Sequence, residues 1–455
     1  MPEKDGNREQ KVSRSAKAIT NIVVEGFKSI VDAQAIEIAP LTILAGANSS
    51  GKSSIMQPLL LLKQTLEESY DPGALLLSGP NAKFTSADQV FSKTPTGQRS
   101  AFLVGIGLTE EEALGLWYSK TGKDPIKIIK MKFHAKETEL SWTPGMTHDE
   151  IVKNTKFPGF EKLLDALKSV GDEKQEVQLA IVRDRCFLEL GLKGARGESQ
   201  KQGHVLAFPA KMSVTKNVRW QIAKIIHLPG LRGNPERSYS LAAVGETFPG
   251  IFNHYTASVI SRWEADEHKD KLKEVSSDLE QLGLTWKVVA KRLNDTQVEL
   301  QVGRLAHAVK GGAHDLVNLA DVGFGVSQTF PVIVALHTAR AGQLVYLEQP
   351  EIHLHPRAQF VMAEVLANAA KRGVRVVVET HSSLLLLGVQ TLVAEGKLSP
   401  DVVKLHWFSR GDDGATKITS VDLDEKGRFG DWPEDFDDVT LKAQNRYLDA
   451  VEKPS

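Results

Sequence analysis

Residues 41–54 read Leu-Thr-Ile-Leu-Ala-Gly-Ala-Asn-Ser-Ser-Gly-Lys-Ser-Ser. The run begins apolar, turns through Gly46-x-x-x-x-Gly51-Lys52-Ser53, and passes into an apolar helical pattern from Ile55 to Leu66. Strand, glycine loop and helix in that order are the context in which this spacing marks a phosphate-binding loop, or P-loop. Gly46 and Gly51 let the backbone turn its N–H groups inward, and Asn48, Ser50 and Ser54 belong to the same stretch. The helix opening near Lys52 points its positive end at the same charges. Lys52 would reach the β- and γ-phosphates of a nucleotide as a point charge, and the Ser53 hydroxyl would sit on Mg²⁺.

Three later segments carry further chemistry. Asp321-Val-Gly323-Phe-Gly325-Val-Ser327-Gln328 is a glycine-rich turn opening a helix. The apolar strand ending at Leu347 runs into Glu348-Gln349-Pro350-Glu351, followed by His353-Leu354-His355-Pro356. A second apolar strand ends in Glu379-Thr380-His381-Ser382. His353 and His355 are spaced closely enough for metal ligands, but they lack companions, and structural roles fit them better. Gln89 stands in a loop-rich region and reads either as a watcher of the γ-phosphate or as an ordinary loop residue.

The elements that must position these residues alternate. Strands are expected at 22–24, 35–38, 41–46, 343–347, 374–378 and 402–407, and helices at 52–69, 356–371 and 383–395. This is an α/β protein, doubly wound around a parallel sheet that includes the P-loop strand. Between the two halves, strands at 101–108, 126–134, 177–181 and 186–192 imply an inserted β-rich lobe. A helical stretch over 252–282 then implies an arm that projects from the core. The chain divides into a disordered tail at 1–18, an N-terminal half at 19–108, the inserted lobe and arm at 109–306, a C-terminal half at 307–440, and a tail at 441–455.

Composition excludes several classes. Of the 455 residues 41% are apolar and 25% charged, values of an ordinary globular protein with a large core. The formal net charge of −1 supplies no global field for nucleic acid, so any such contact would need a local patch. The most basic part holds Lys193, Arg196, Lys201, Lys211, Lys216, Arg219 and Lys224, for which a solvated face is the simpler reading. Cys186 is the only cysteine, which excludes intrachain disulfides and cysteine-rich metal sites. No apolar run reaches the length of a membrane span and no signal-peptide core opens the chain, so a cytoplasmic protein is expected.

Taken as a set, these motifs resemble the ABC-type ATPases of the SMC, RecF and OLD group. The likeness is nearest to stand-alone bacterial ATPases sharing the Glu-Gln-Pro-Glu-Ile-His-Leu-His-Pro element, of the kind found in Septu- or PARIS-like anti-phage systems. Phe27-Lys28 matches an early element of such domains, and the 432–436 segment resembles the same subgroup. The resemblance implies ATP and Mg²⁺ as cofactors and a head-to-head homodimer or higher oligomer. In it Gly323, Gly325 and Ser327 would cap the γ-phosphate of the opposite subunit, although the usual serine precedes the glycines. His381 would be the switch histidine. The usual acidic pair is Asp-Glu, one carboxylate for the metal and one for the attacking water; here Glu348 and Gln349 hold those places. Glu348 can serve the metal, Gln349 can orient water but not accept its proton, and Glu351 is a candidate substitute. The implied function is an ATP-driven switch in anti-phage defence, acting with a separately encoded nuclease or toxin. The alternatives are a RecF-like ATPase of DNA maintenance and a non-hydrolysing scaffold held by nucleotide.

Overall fold

The computed structural model describes residues 18–95, 97–109, 111–170, 177–194, 205–207, 214–308 and 314–430, together with residues 446 and 448. Apart from Ala18 the expected N-terminal tail lies outside the described residues, as do the 432–436 segment and most of the C-terminal tail.

Strands rich in Val, Ile and Leu without polar alternation must be buried on both faces. They build a central sheet in the order Ile226–Leu228, Leu344–Glu348, Arg375–Thr380, Leu41–Gly46, Val403–Arg410 and Thr416–Val421. The first five are parallel; the last is a hairpin partner running antiparallel. Leu41, Ile43 and Ala45 enter a core shared with the helices Phe324–Thr338, Pro356–Lys371 and Ser383–Ala394, while Leu44 enters a second core with the P-loop helix Lys52–Glu67. The expected α/β class with a parallel P-loop sheet therefore holds. Its edge strand Ile226–Leu228 comes from within the stretch read as inserted.

The second core lies under a seven-stranded antiparallel sheet. In it Asn21–Glu25 pairs with Ala101–Thr109, which in turn pairs with Glu112–Ser119. The division drawn at residue 108 thus falls inside Ala101–Thr109 and cuts it off from the strand it pairs with, Gly107 lying opposite Ala113. The strands Glu112–Ser119 and Thr138–Trp142 add to those read from the sequence. Gly115 interrupts the apolar pattern of the first, and it suits its place, because a Cβ there would meet the Trp117 ring at 2.9 Å.

The helical stretch divides into Phe252–Tyr255, Thr256–Ala265 and Lys269–Gln281. It lies along helix Phe324–Thr338 and buries Val259, Ile260, Trp263, Val275 and Leu279 in the first core. The arm is folded onto the head. Among the described residues no helix is long and apolar enough to cross a membrane.

Candidate nucleotide-binding site

The P-loop strand sits between Arg375–Thr380 and Val403–Arg410, so its loop leaves at the carboxyl end of a parallel sheet, where open α/β sheets bind ligands. Gly46 (φ 144°) and Gly51 (φ 99°) hold backbone conformations that other residues avoid. The packing is as demanding as the dihedrals: a Cβ on Gly46 would lie 2.2 Å from the Phe408 carbonyl oxygen, and one on Gly51 2.1 Å from Thr416 Oγ1. Gly51 opens the P-loop helix with no side-chain cap, which leaves first-turn N–H groups facing the loop. Lys52 Nζ donates to the carbonyls of Gly46 (3.0 Å) and Ala47 (2.8 Å), directly over that loop. Burial lowers its pKa against the charges of Glu379 and Glu351. Asn48 is exposed, Ser54 is buried, and the buried Ser50 hydroxyl has no protein partner among the described residues. An uncapped helix start, an ammonium group and an orphaned hydroxyl around one loop fit an oxyanion such as a phosphate.

The two acidic strand ends stand beside this loop. Glu348 and Glu379 are opposite one another in register on neighbouring strands. Ser53 Oγ lies 3.0 and 2.8 Å from the two Glu379 carboxylate oxygens and donates to that carboxylate, to which Tyr346 also donates through its OH at 2.9 Å. Burial is the main reason the Glu379 carboxyl titrates above its usual range; the Ser53 bond opposes this and the Glu348 charge adds to it. Glu348 faces the other way, with His227 Nε2 3.2 Å from Oε1 and the Gly230 N–H donating to Oε2 at 3.0 Å. Burial works against its charge, but the bonds from His227 and Gly230 and the Arg232 charge outweigh it, and the carboxyl ionises below its usual range. Two carboxylates and a hydroxyl are hard donors suited to Mg²⁺. Among the described residues no three His, Cys, Asp or Glu side chains form a cage for a metal ion.

His381 follows the strand directly and bonds to the Gly46 backbone; burial, then the Lys52 charge, push its imidazole towards the neutral form. Gln349 is held in left-handed backbone (φ 45°), with its N–H donating to the Glu379 carbonyl at 2.8 Å. Glu351 lies beneath this loop. Its Oε1 accepts from Thr380 Oγ1 (2.6 Å) and the His381 N–H (3.1 Å), and its buried Oε2 has no partner among the described residues. Burial holds the Glu351 carboxyl above its ordinary range despite those bonds. A carboxyl that titrates higher when folded favours its protonated form on folding, so this stabilisation is present at acid pH and is lost as pH rises through the folded-state value. Glu351→Gln removes that titration. Between about pH 5 and about pH 8 its urea midpoint should fall less than that of the unchanged chain; equal falls would show that Glu351 contributes no such dependence.

The loop after Ile226–Leu228, which the sequence marks only as turn-rich with two arginines, closes the site from behind. Arg232 is 8% exposed. It donates to the backbone carbonyls of Gln328 (3.4 Å), Glu348 (2.8 Å) and Gln349 (3.3 Å), while Gln328 Nε2 returns a bond to the Gly233 carbonyl at 2.7 Å. Burial pushes its pKa down to about 10, against the charges of Glu351 and Glu348. His227, Arg232 and Glu379 are the residues that sequence reasoning missed. Only Glu379 left a signal there, an acidic residue at the end of an apolar strand.

The structure brings together Gly46, Ser50, Gly51, Lys52, Ser53, Glu348, Gln349, Glu351 and His381. Gly323, Gly325 and Ser327 lie elsewhere, at the start of helix Phe324–Thr338. There Gly325 packs towards the His353 carbonyl and Leu284, and the Ser327 hydroxyl donates back to Phe324. Gln89 closes a capping box, accepting from the Thr85 and Ser86 N–H groups. In the basic stretch Arg219 pairs with Asp184 and Glu189 and Lys224 with Glu246, while Arg196, Lys201 and Lys211 lie outside the described residues.

A protein-family model described as "AAA domain, putative AbiEii toxin, Type IV TA system" matches residues 41–387, well over half of the chain. No curated protein matches the chain. Among solved structures, similarity extends to an SMC head bound to the C-terminal winged-helix domain of ScpA (12% identity, 90% of this chain and 98% of that one, TM-score 0.46). It extends also to the SMC head domain from Thermotoga maritima (9% identity, 89% and 100%, TM-score 0.40). A third is the Pyrococcus furiosus Smc head with an extended coiled coil bound to the C-terminal domain of ScpA (11% identity, 96% and 100%, TM-score 0.46).

Proposed function

The chain belongs to this AAA-domain family, and from that premise we propose that it is an ATP-binding, slowly hydrolysing switch whose heads associate when Mg²⁺ and ATP are bound. One observation carries the reading: Lys52 and Ser53 of the P-loop meet Glu379, His381 and the strand end Glu348-Gln349 at the carboxyl end of the parallel sheet. Lys52 and the loop N–H groups would bind the phosphates, and Ser53 would hold the cation; Glu348, read from the sequence as its partner on the metal, instead turns its oxygens to His227 and the Gly230 N–H. A cation held there would supply charge neutralisation and polarisation at the phosphates. His381 would sense the γ-phosphate, a reading its bond to the Gly46 backbone supports. Gln349 can orient a water but leaves proton removal without a base, so binding and closure dominate over turnover.

The same reading puts the protein in the cytoplasm as a homodimer or larger assembly that passes its closed state to a separate nuclease or toxin in anti-phage defence. The family description names a putative toxin of a type IV toxin–antitoxin system, which bears on a toxin-linked role and not on a separate effector. A scaffold held together by nucleotide is the second reading, favoured by Gln349. A DNA-maintenance ATPase is the third reading; of the basic residues in the described part of that stretch, Arg219 and Lys224 are paired within the chain.

The test is equilibrium ATP binding, turnover and sedimentation of the full chain beside Lys52→Ala. Hydrogen bonds to charged groups contribute ~1.5–3 kcal/mol, so the variant should bind ATP ~10–100-fold more weakly and lose ATP-driven association. Equal ATP binding by both proteins would overturn the site. Turnover stimulated by duplex DNA, with steep salt dependence, would favour the DNA reading instead.

A further inference from the structure

A hydroxyl group carries one proton and two lone pairs, and it ligates a cation only if the proton points away from it. Ser53 therefore needs an acceptor behind it. Two carboxylates end the neighbouring strands: Glu348, read from the sequence as a metal ligand, and Glu379. Both oxygens of Glu348 are engaged elsewhere, one by His227 Nε2 at 3.2 Å and the other by the Gly230 N–H at 3.0 Å. The acceptor for Ser53 is Glu379, at 2.8 and 3.0 Å, on the strand between that of Glu348 and the P-loop.

Glu379 is itself fixed. It is 6% exposed, and Tyr346, fully buried, donates its OH to Oε2 at 2.9 Å. The Tyr346 ring stacks on His227 with centroids 5.4 Å apart and planes 10° from parallel, which ties the two carboxylates into one framework. With the proton of Ser53 committed to Glu379, the serine lone pairs are left for a cation at the phosphates.

We propose that Glu379 is a positioning residue for the cation: it accepts the Ser53 proton and turns the serine lone pairs toward the Mg²⁺ of a bound nucleotide, leaving Glu348 to face the Gly230 loop. This rests on the nucleotide reading above. It differs from direct ligation, because Glu379 acts through Ser53.

The experiment measures two quantities on the full chain: ATP affinity in EDTA, and Mn²⁺ affinity of the ATP complex from the free-Mn²⁺ spin-resonance signal. Residues behind metal ligands typically change metal affinity ~10–100-fold. Glu379→Gln should weaken Mn²⁺ by that order while leaving metal-free ATP affinity equal or raised, since a negative charge near the phosphates has been removed. A merely structural role would lower both together and would overturn the inference, as would unchanged Mn²⁺ affinity. Ser53→Ala should weaken Mn²⁺ similarly, and Glu379→Gln should add nothing in that background. A full additional loss there would place Glu379 on the metal itself and sink the positioning role. Tyr346→Phe keeps the ring volume and loosens only the anchor, so it should show the same split between the two measurements at smaller amplitude, even where Glu379→Gln fails to fold. If the unchanged chain binds no ATP, the nucleotide reading fails; if it binds ATP and Mn²⁺ and Glu379→Gln does so equally, only this inference fails.

Discussion

Replacing Gln349 by glutamate is expected to raise ATP turnover by ~10²–10⁴-fold, the usual contribution of a positioned general base. The substitution is nearly isosteric, and the backbone that carries it is fixed independently of the side chain. The Gln349 N–H donates to the Glu379 carbonyl at 2.8 Å, and its own carbonyl accepts from Arg232 at 3.3 Å. An amide can orient a water by one donor and one acceptor but cannot take its proton. The neighbouring carboxylates do not stand in for it. Glu348 is turned to His227 and Gly230 and Glu379 to Ser53 and Tyr346, while Glu351 is buried, with one oxygen held by Thr380 and the His381 N–H. A new carboxylate among them should titrate upward by mutual repulsion, toward the range in which a base works well at neutral pH. Steady-state phosphate release by Gln349→Glu and the unchanged chain, at matched saturation with ATP, decides it. No increase would mean that proton removal does not limit the reaction and that closure or release does.

What the sequence made legible follows from how local each signal is. The P-loop is a contiguous strand, glycine turn and helix, and its two glycines occupy positions where a Cβ would collide with Phe408 or Thr416. Helix Pro356–Lys371 was readable to the residue because proline at its first position and Gly373 after its end are local marks. The site's rear wall was not readable. Strand Ile226–Leu228 spans three residues, too few for any period to show. Glu379 gains its meaning from register: only the pairing of Arg375–Thr380 with Leu344–Glu348 on one side and with the P-loop strand on the other puts it behind Ser53. Arg232 belongs to the same class, since a loop arginine is normally solvated and only the tertiary fold makes it a buried donor. The hairpin of Ala101–Thr109 with Glu112–Ser119 was hidden for a different reason, a glycine inside the second strand that breaks the strand pattern while packing beside Trp117.

Arg232→Ala is expected to destabilise the protein by ~3–5 kcal/mol, the scale of removing one partner from a buried charged network. The guanidinium serves three backbone carbonyls: that of Gln328 on the helix Phe324–Thr338, and those of Glu348 and Gln349 at the strand end. Each acceptor stranded by truncation costs ~1–3 kcal/mol unless water replaces the donor, and the partial overlap of those costs brings the sum into the stated range. The Glu348 and Glu351 charges would also lose a cation that now favours them. Lysine is a poor replacement, because a single ammonium cannot reproduce a planar fork aimed at two elements, so Arg232→Lys should recover only part of the loss. Urea unfolding at neutral pH measures both variants. A change below about 1 kcal/mol in Arg232→Ala would mean that water satisfies the three carbonyls and that the loop is no staple. A large change has a functional corollary. The same guanidinium joins the helix bearing Gly323 and Gly325 to the strand end bearing Glu348 and Gln349, so partial rescue by lysine should restore stability ahead of ATP-driven association, which needs both elements in register.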